Sequence, residues 1–265
     1  MNTISSRHNP IVARYRAAAR GEVPGAMLLD GAHLLVEALN ARLRIREAAV
    51  TAEAAGRPDI ASIVARLAGV NAEVHAVAAT VMDALSPVKS SSGIVALADR
   101  PDCETDRMYE TADPLVIVAI DVQDPGNLGA IVRVAEASGA SGVVAAGASA
   151  NPFGWRALRG SMGSALRLPV ATGREVIAAI SHARGHGCRI AAAVPRDGQS
   201  IFQVDYSGAM AVLIGGEGSG LAADVAASAD DQITIPMQPP VESLNAAVTA
   251  ALIVYEAFRQ RAERS

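Results

Sequence analysis

Short apolar runs alternate with segments whose apolar residues recur every three or four positions, and this alternation changes character part-way along the chain. In the first hundred residues it predicts a strand at 26–29, a helix at 31–41 with Leu34, Leu35 and Ala38 on one face, a strand at 45–51, a helix at 58–67 and a closing strand at 93–98. These make a small α/β sandwich over residues 1–98. Residues 99–113, DRPDCETDRMYETAD, hold six acids, two Arg and hardly any apolar content, and read as an acidic linker. Over residues 114–265 the runs LVIVAI, GVVAAG, CRIAAAV, AMAVLIG and QITIPM are apolar throughout, separated by helices beginning near Asn127, Gly173 and Ser243. Unbroken apolar strands between helices predict a parallel sheet covered on both faces. The final helix, 243–261, is apolar on more than one face (Ala247, Val248, Ala251, Leu252, Val254, Tyr255, Phe258), more than a half-solvated helix carries, so a partner surface is expected there.

Composition narrows the function. The chain has 265 residues, 51% hydrophobic, enough for a sizeable core, and its net charge of −4 argues against a generic DNA-coating protein. Basic patches are local: residues 1–50 carry seven Arg against four acids, and residues 137–174 carry four Arg and no acid. Arg suits bidentate phosphate contacts, although composition alone also explains a chain whose only lysine is Lys89. Cys103 and Cys188 match no metal-ligand spacing and read as free thiols, and no metal site is expected. The N-terminus lacks an apolar signal core and no run approaches the roughly 20 apolar residues of a membrane span, so a soluble, cytoplasmic protein is expected.

Three strand-to-helix mouths hold the candidate chemistry. In DVQDPGNLGAIVRVAEASG (121–139) a Pro-Gly turn opens onto a helix with Asn127 and Arg133; LIGGEGSGL (213–221) and IPMQPPVESLNAAVTAALIVYEAFRQR (235–261) follow two further strands. Open α/β sheets bind ligands at the carboxyl ends of their strands, so three such mouths can share one pocket. The dinucleotide G-x-G-x-x-G fingerprint and the Walker loop are both absent. Glu217, inside the Gly215–Gly220 run, would repel pyrophosphate, so an uncharged or cationic ligand is expected. Asn127 is as well placed to cap its helix as to serve a site, and Ser243 is a natural N-cap as well as a site residue. Arg133 sits in a stretch that looks buried and would need an anion, from Glu217 or a phosphate. Asn245 looks buried early in an apolar helix, which favours a functional role. Phe153 and Trp155 read as core residues before base-stacking ones.

In order and separation, DPGNLGAIVRVAEASGA, IGGEGSGL and IPMQPPVESLNAAVTAALIVYE resemble the three motifs of the SpoU (TrmH-like) branch of the SPOUT RNA methyltransferases. SSRHNPIVARYR with GAMLLDGAHLLVEAL is similar to the substrate-binding domain often joined to them, and RGSMGSALRLP (159–169) to the family's Arg/Ser-Gly-Ala stretch. The resemblance implies a SPOUT domain with a deep trefoil knot behind an L30e-like sandwich, and a homodimer formed through the knotted domain. It implies S-adenosylmethionine as cofactor, held around Gly215, Gly216 and Gly218 with Ile235, Met237 and Leu244, so that a bulky residue at Gly216 would take the ligand's place. Asn127, Arg133, Glu217, Ser243 and Asn245 would form the catalytic set, with Arg133 activating or orienting a ribose 2′-hydroxyl. Arg7, Arg14, Arg156 and Arg159 would grip the substrate, ribosomal RNA of the 23S type. The alternatives are a transfer-RNA 2′-O-methyltransferase and a catalytically silent RNA-binding or ribosome-assembly factor of the same fold.

Overall fold

A computed structural model describes residues 3–101, 105–218 and 220–264; Cys103 and part of the acidic stretch lie outside the described residues. The chain divides into two compact units, Met1–Asp102 with Phe153–Arg167, and Cys103–Pro152 with Leu168–Ser265. The Arg-bearing 153–167 stretch thus belongs with the first unit, whereas the sequence pattern grouped it with the parallel sheet.

In the first unit, β1 (Ala26–Asp30), β2 (Ile45–Thr51), β3 (Glu73–Val77) and β4 (Ile94–Asp99) form a sheet of order β1-β4-β2-β3. The late strand β4 runs antiparallel to both β1 and β2, so it is central, and Ile94–Ala98 are correspondingly all buried. Helix α1 (Pro10–Ala19) starts where Asn9 Oδ1 accepts the Ile11 amide at 3.0 Å and Pro10 fixes the first turn. It buries Ile11, Val12 and Tyr15 against α5 (Ala79–Leu85) and the sheet face presenting Leu28, Ala49, Val95 and Leu97. Helices α2 (Ala32–Asn40) and α4 (Pro58–Gly69) pack together, with α3 (Ala52–Ala55) a single turn between. Helix α7 (Trp155–Ser161) returns to lie against β1. The pattern reading missed α1, β3 and α5. In β3, EVHAV, only Val77 is fully buried, so its apolar signal is weak.

The second unit holds β5 (Leu115–Ile120), β6 (Gly142–Ala146), β7 (Val170–Arg174), β8 (Arg189–Ala193), β9 (Gln199–Ser200), β10 (Met210–Gly215) and β11 (Asp231–Thr234), in the order β7-β6-β5-β10-β8-β11-β9. Every pairing is parallel, as the unbroken apolar runs required. Helices α6 (Pro125–Ala137), α8 (Val176–Gly185), α9 (Ala223–Ala227) and α10 (Ala246–Ala262) connect or cover the strands, and α6 packs on α10. Among the described residues no helix is long and apolar enough to cross a membrane.

Three boundaries differ from the pattern reading. Gly173 does not open a helix; at φ +71° it lies in β7, and α8 starts at Val176. The last strand stops at Thr234, and Ile235–Met237 leave the sheet. The acidic stretch is only in part a linker, since Thr105–Tyr109 forms a 3-10 turn that buries Met108 and Tyr109 in the core of the second unit.

Candidate active site

A cavity of about 460 Å³ opens in the second unit at the carboxyl ends of β8, β10 and β11. That volume lies within the ~300–1,000 Å³ of small-ligand sites. It is walled by Ile214, Ile233, Ile235, Met237 and Leu244, floored by the Gly215–Gly220 loop, and closed by Ser243, Asn245 and Thr249. All six residues expected to hold a cofactor line it: Gly215, Gly216, Gly218, Ile235, Met237 and Leu244. Among its described lining residues Glu217 is the only ionisable one, so the wall offers no cation to a pyrophosphate. It suits an uncharged or positively charged ligand with apolar parts.

The loop is held by close backbone approach. Gly216 forms an isolated antiparallel bridge with Gly220, while Gly218 and Gly220 adopt positive φ, +93° and +64°. A Cβ at Gly215 would lie 2.4 Å from the Gly220 carbonyl carbon, and one at Gly216 would lie 2.0 Å from the Asp121 carbonyl oxygen. Gly216 is therefore required by the β5–α6 loop that crosses over it, and the reason expected from sequence, space for the ligand itself, is not the first one. Asp121 takes a left-handed φ of +56° to bring its carbonyl there, and its Oδ1 accepts the Ala148 amide at 2.7 Å. Asp tolerates that conformation better than most residues.

Three polar side chains tie the three mouths together. Asn127 Nδ2 donates to Glu217 Oε1 at 2.5 Å, and Asn245 Nδ2 donates to Asn127 Oδ1 at 3.1 Å. Asn127 comes from the first turn of α6, Glu217 from the loop after β10 and Asn245 from the start of α10, so residues up to 118 positions apart meet. The caps are not those the sequence suggested. Asp124 caps α6, its Oδ1 accepting the Asn127 amide at 2.8 Å, which releases the Asn127 side chain for the relay. Asn245, not Ser243, caps α10, accepting the Ala247 and Val248 amides at 2.9 and 3.3 Å. Far from being buried, Asn245 is exposed, as is Ser243 on the cavity rim.

Arg133 also departs from expectation. It is exposed on α6, does not line the cavity and makes no hydrogen bond or ion pair among the described residues; Glu217 is engaged by Asn127 instead. Its cation remains available to an outside anion. Helical periodicity placed Arg133 among apolar neighbours, but Ile131, Val132 and Ala135 turn inward while position 133 turns out.

In the first unit the four arginines separate. Arg14 makes a bidentate pair with Glu47, both contacts at 2.6 Å, and Glu47 is 5% exposed. The hydrogen bond to Glu47 raises the Arg14 pKa further, and His75 Nε2 stands 3.3 Å from the same carboxylate. Arg14 is therefore a structural cation and not a free phosphate ligand. Arg7 donates to the Thr80 carbonyl at 2.8 Å with the rest of its guanidinium exposed. Arg156 lies over the Trp155 ring, 5.1 Å from the centroid, and Arg159 is exposed one turn on. Phe153 is buried, as expected, whereas Trp155 is half-buried on the rim of a shallow pocket with Arg16 and Arg20. Sequence reasoning also missed Val194, Pro195 and Thr249 of the cavity. The Val-Pro break after the apolar run of β8 was the available signal for the first two.

Residues 114–255 match the model of the SpoU rRNA Methylase family. The chain belongs to that family. It is 30% identical to an uncharacterised tRNA/rRNA methyltransferase of Synechocystis sp., over 98% of this chain and 94% of that one. A 23S rRNA (guanosine-2′-O-)-methyltransferase, RlmB, of a Burkholderia sp. is 29% identical over 91% of this chain and all of its own length. Among solved structures, the AdoMet-bound rRNA methyltransferase from Sinorhizobium meliloti superposes with a TM-score of 0.86 at 25% identity, covering 97% of each chain. The resemblance carried by the three motifs is thus borne out, and the protein is a SpoU-type methyltransferase with a parallel-sheet α/β fold.

Proposed function

We infer that the protein transfers a methyl group from S-adenosylmethionine to a ribose 2′-hydroxyl of RNA, and that the RNA is ribosomal, of the 23S type. One observation carries the reading: the cavity joins apolar walls to a glycine floor, and among its described lining residues Glu217 is the only charged one and none is cationic. The residues fit the cofactor on that chemistry. Ile214, Ile235, Met237 and Leu244 would offer apolar contact to an adenosine, the glycine loop would present backbone groups unscreened by side chains to its polar edges, and the Glu217 carboxylate would favour a cation. When bound, the cofactor supplies a methyl already activated by its sulfonium.

The chain's own part is then positioning, which can supply much of such a rate enhancement. The Asn245–Asn127–Glu217 relay holds the rim of the cavity fixed. Arg133, uncommitted to any described carboxylate, is available to orient a phosphate or lower the hydroxyl pKa electrostatically; a guanidinium stays protonated, so it is not a general base. A ribose 2′-hydroxyl also distinguishes RNA from DNA at such a site. Of the four arginines expected to grip RNA, Arg156 and Arg159 on α7, together with Arg7, are the ones not tied up as Arg14 is by Glu47.

Three finer features belong to the same proposal: a trefoil knot formed around the β10 loop and the segment after β11, an L30e-like identity for the first unit, and a homodimer. The dimer is supported by the exposed stripe Val248, Leu252, Tyr255 and Phe258 along α10, which are 42–48% exposed and spaced three or four residues apart. Comparing 2′-O-methyl positions in ribosomal and transfer RNA from cells with and without the gene tests the substrate. Loss of one ribosomal methyl is expected; loss confined to transfer RNA, or no loss with a purified protein that fails to bind S-adenosylhomocysteine, overturns the reading.

A further inference from the structure

At the other end of the parallel sheet from the cavity, three side chains with metal-binding chemistry converge. His182 and His186 stand one turn apart at the carboxyl end of α8, and Asp106 reaches them from the 3-10 turn at Thr105–Tyr109. The Asp106 Oδ1 atom lies 2.9 Å from His182 Nε2 and 3.9 Å from His186 Nε2, and one donor atom from each of the three residues falls within 4.8 Å of the others. Those separations straddle the ~3.3 Å donor-to-donor edge of a tetrahedral site with ~2.0–2.1 Å bonds. Helix α8 runs into β8 at Arg189, whereas the cavity begins at Ala193, the opposite end of that strand.

Two details distinguish this cluster from an ordinary surface ion pair. The first is tautomer: His186 Nδ1 lies 3.0 Å from the His182 carbonyl oxygen, so in the neutral ring Nδ1 carries the proton and donates, which leaves the Nε2 lone pair facing Asp106. The second is an orphaned atom. His182 Nε2 is shut off from solvent and makes no hydrogen bond among the described residues, although Asp106 is within reach. The carboxylate is close but out of line for the N–H, an arrangement that a shared ion accommodates and a hydrogen bond does not. Tyr109 clamps both rings, stacking on His186 at 4.5 Å and meeting His182 edge-on at 5.4 Å, and so fixes their orientation. A second His and carboxylate cluster, Glu47, Glu73 and His75, lacks this character, since Arg14 already neutralises its buried carboxylate.

We propose that Asp106, His182 and His186 bind a divalent ion of the zinc class, with a position left to water, and that the ion fastens the segment entering the second unit to the end of α8. Two imidazoles and one carboxylate are a donor set that suits Zn(II) over Mg(II) or Ca(II), which prefer all-oxygen ligation. The role is structural and remote from methyl transfer, in contrast to the metal-free protein expected from the cysteine spacing.

The test uses untagged full-length protein stripped with a chelator and titrated with Zn(II) by calorimetry, with Co(II) as the spectroscopic probe. A single ion per chain is expected, with the intense visible bands of four-coordinate Co(II). Saturation at about a hundredfold over Kd should raise the melting temperature by roughly 5–10 °C. Asp106→Asn and His186→Ala, both at exposed positions, should fold normally and each weaken Zn(II) binding at least ~10-fold. Absence of Zn(II) binding by the wild-type chain overturns the proposal, as does binding that both variants retain unchanged.

Discussion

Replacing Gly216 with alanine isolates the steric demand of the glycine loop, because this glycine is not held at positive φ. The added Cβ would lie 2.0 Å from the Asp121 oxygen, 2.6 Å from its carbonyl carbon and 3.3 Å from the Val122 nitrogen. Ordinary contact begins at 3.4 Å, so the two loops must part by about 1.4 Å, and the obstructing atoms are backbone with no rotamer to escape into. Overpacking of this kind costs ~1–3 kcal/mol, and a backbone collision belongs at the upper end. At ~2–4 °C per kcal/mol for a chain of this size, about 3 kcal/mol lowers the melting temperature by roughly 6–12 °C. The displaced loop floors the cavity, so affinity for S-adenosylhomocysteine should fall at least ~10-fold, about 1.4 kcal/mol. Gly218→Ala is the control: nothing lies within 4 Å of its Cβ, but φ is +93°, so only conformational strain of ~1–2 kcal/mol applies. Differential scanning fluorimetry and calorimetry on both variants read the two quantities. A Gly216→Ala protein that melts and binds like wild type would show that the loop crossing does not constrain the site.

Other outcomes follow from the same geometry. Arg133→Ala should leave S-adenosylhomocysteine affinity nearly unchanged and reduce methyl transfer ~100-fold or more; wild-type rates on the true RNA would remove Arg133 from the mechanism and turn attention to Asn127 and Glu217. Asn127→Ala frees the Glu217 carboxylate from the hydrogen bond that holds it at the cavity rim and should weaken cofactor binding ~10-fold, about 1.4 kcal/mol, an effect absent if the relay is incidental. Arg14→Ala should destabilise the first unit by roughly 3 kcal/mol, by stranding Glu47, without a specific loss of RNA affinity per folded molecule. Arg156→Ala and Arg159→Ala should do the opposite, each flattening the salt slope of RNA binding by about 1 in filter-binding or anisotropy assays. Leu252→Asp should give a monomer in sedimentation at micromolar concentration, and a dimer that persists would place the interface elsewhere.

Much of the architecture could be read from the order of residues. The unbroken apolar runs β5, β6, β8 and β10 were identifiable because strands buried on both faces have no polar alternation to hide them, and the motif resemblance named the family from local strings. The glycine loop, Ile235, Met237 and Leu244 were legible for the same reason: each lies in a short contiguous segment whose chemistry travels with it. Pairing and orientation were not local. Which residue caps a helix depends on where the backbone enters it, so Asp124 and Asn245 displaced the expected Asn127 and Ser243. Whether Arg133 or Arg14 is free depends on a partner 33 or more residues away, or on its absence, which no window on the sequence contains. Gly216 answers to Asp121, and His182 to Asp106, through contacts that exist only after the sheet has brought its loops together. Sequence by itself thus determined the buried strands of the parallel sheet, the family and the chemical vocabulary of the site, because those reside in short-range pattern; the tertiary structure alone decided which polar groups meet, because hydrogen bonds and steric contacts are set by distances of a few ångströms in space.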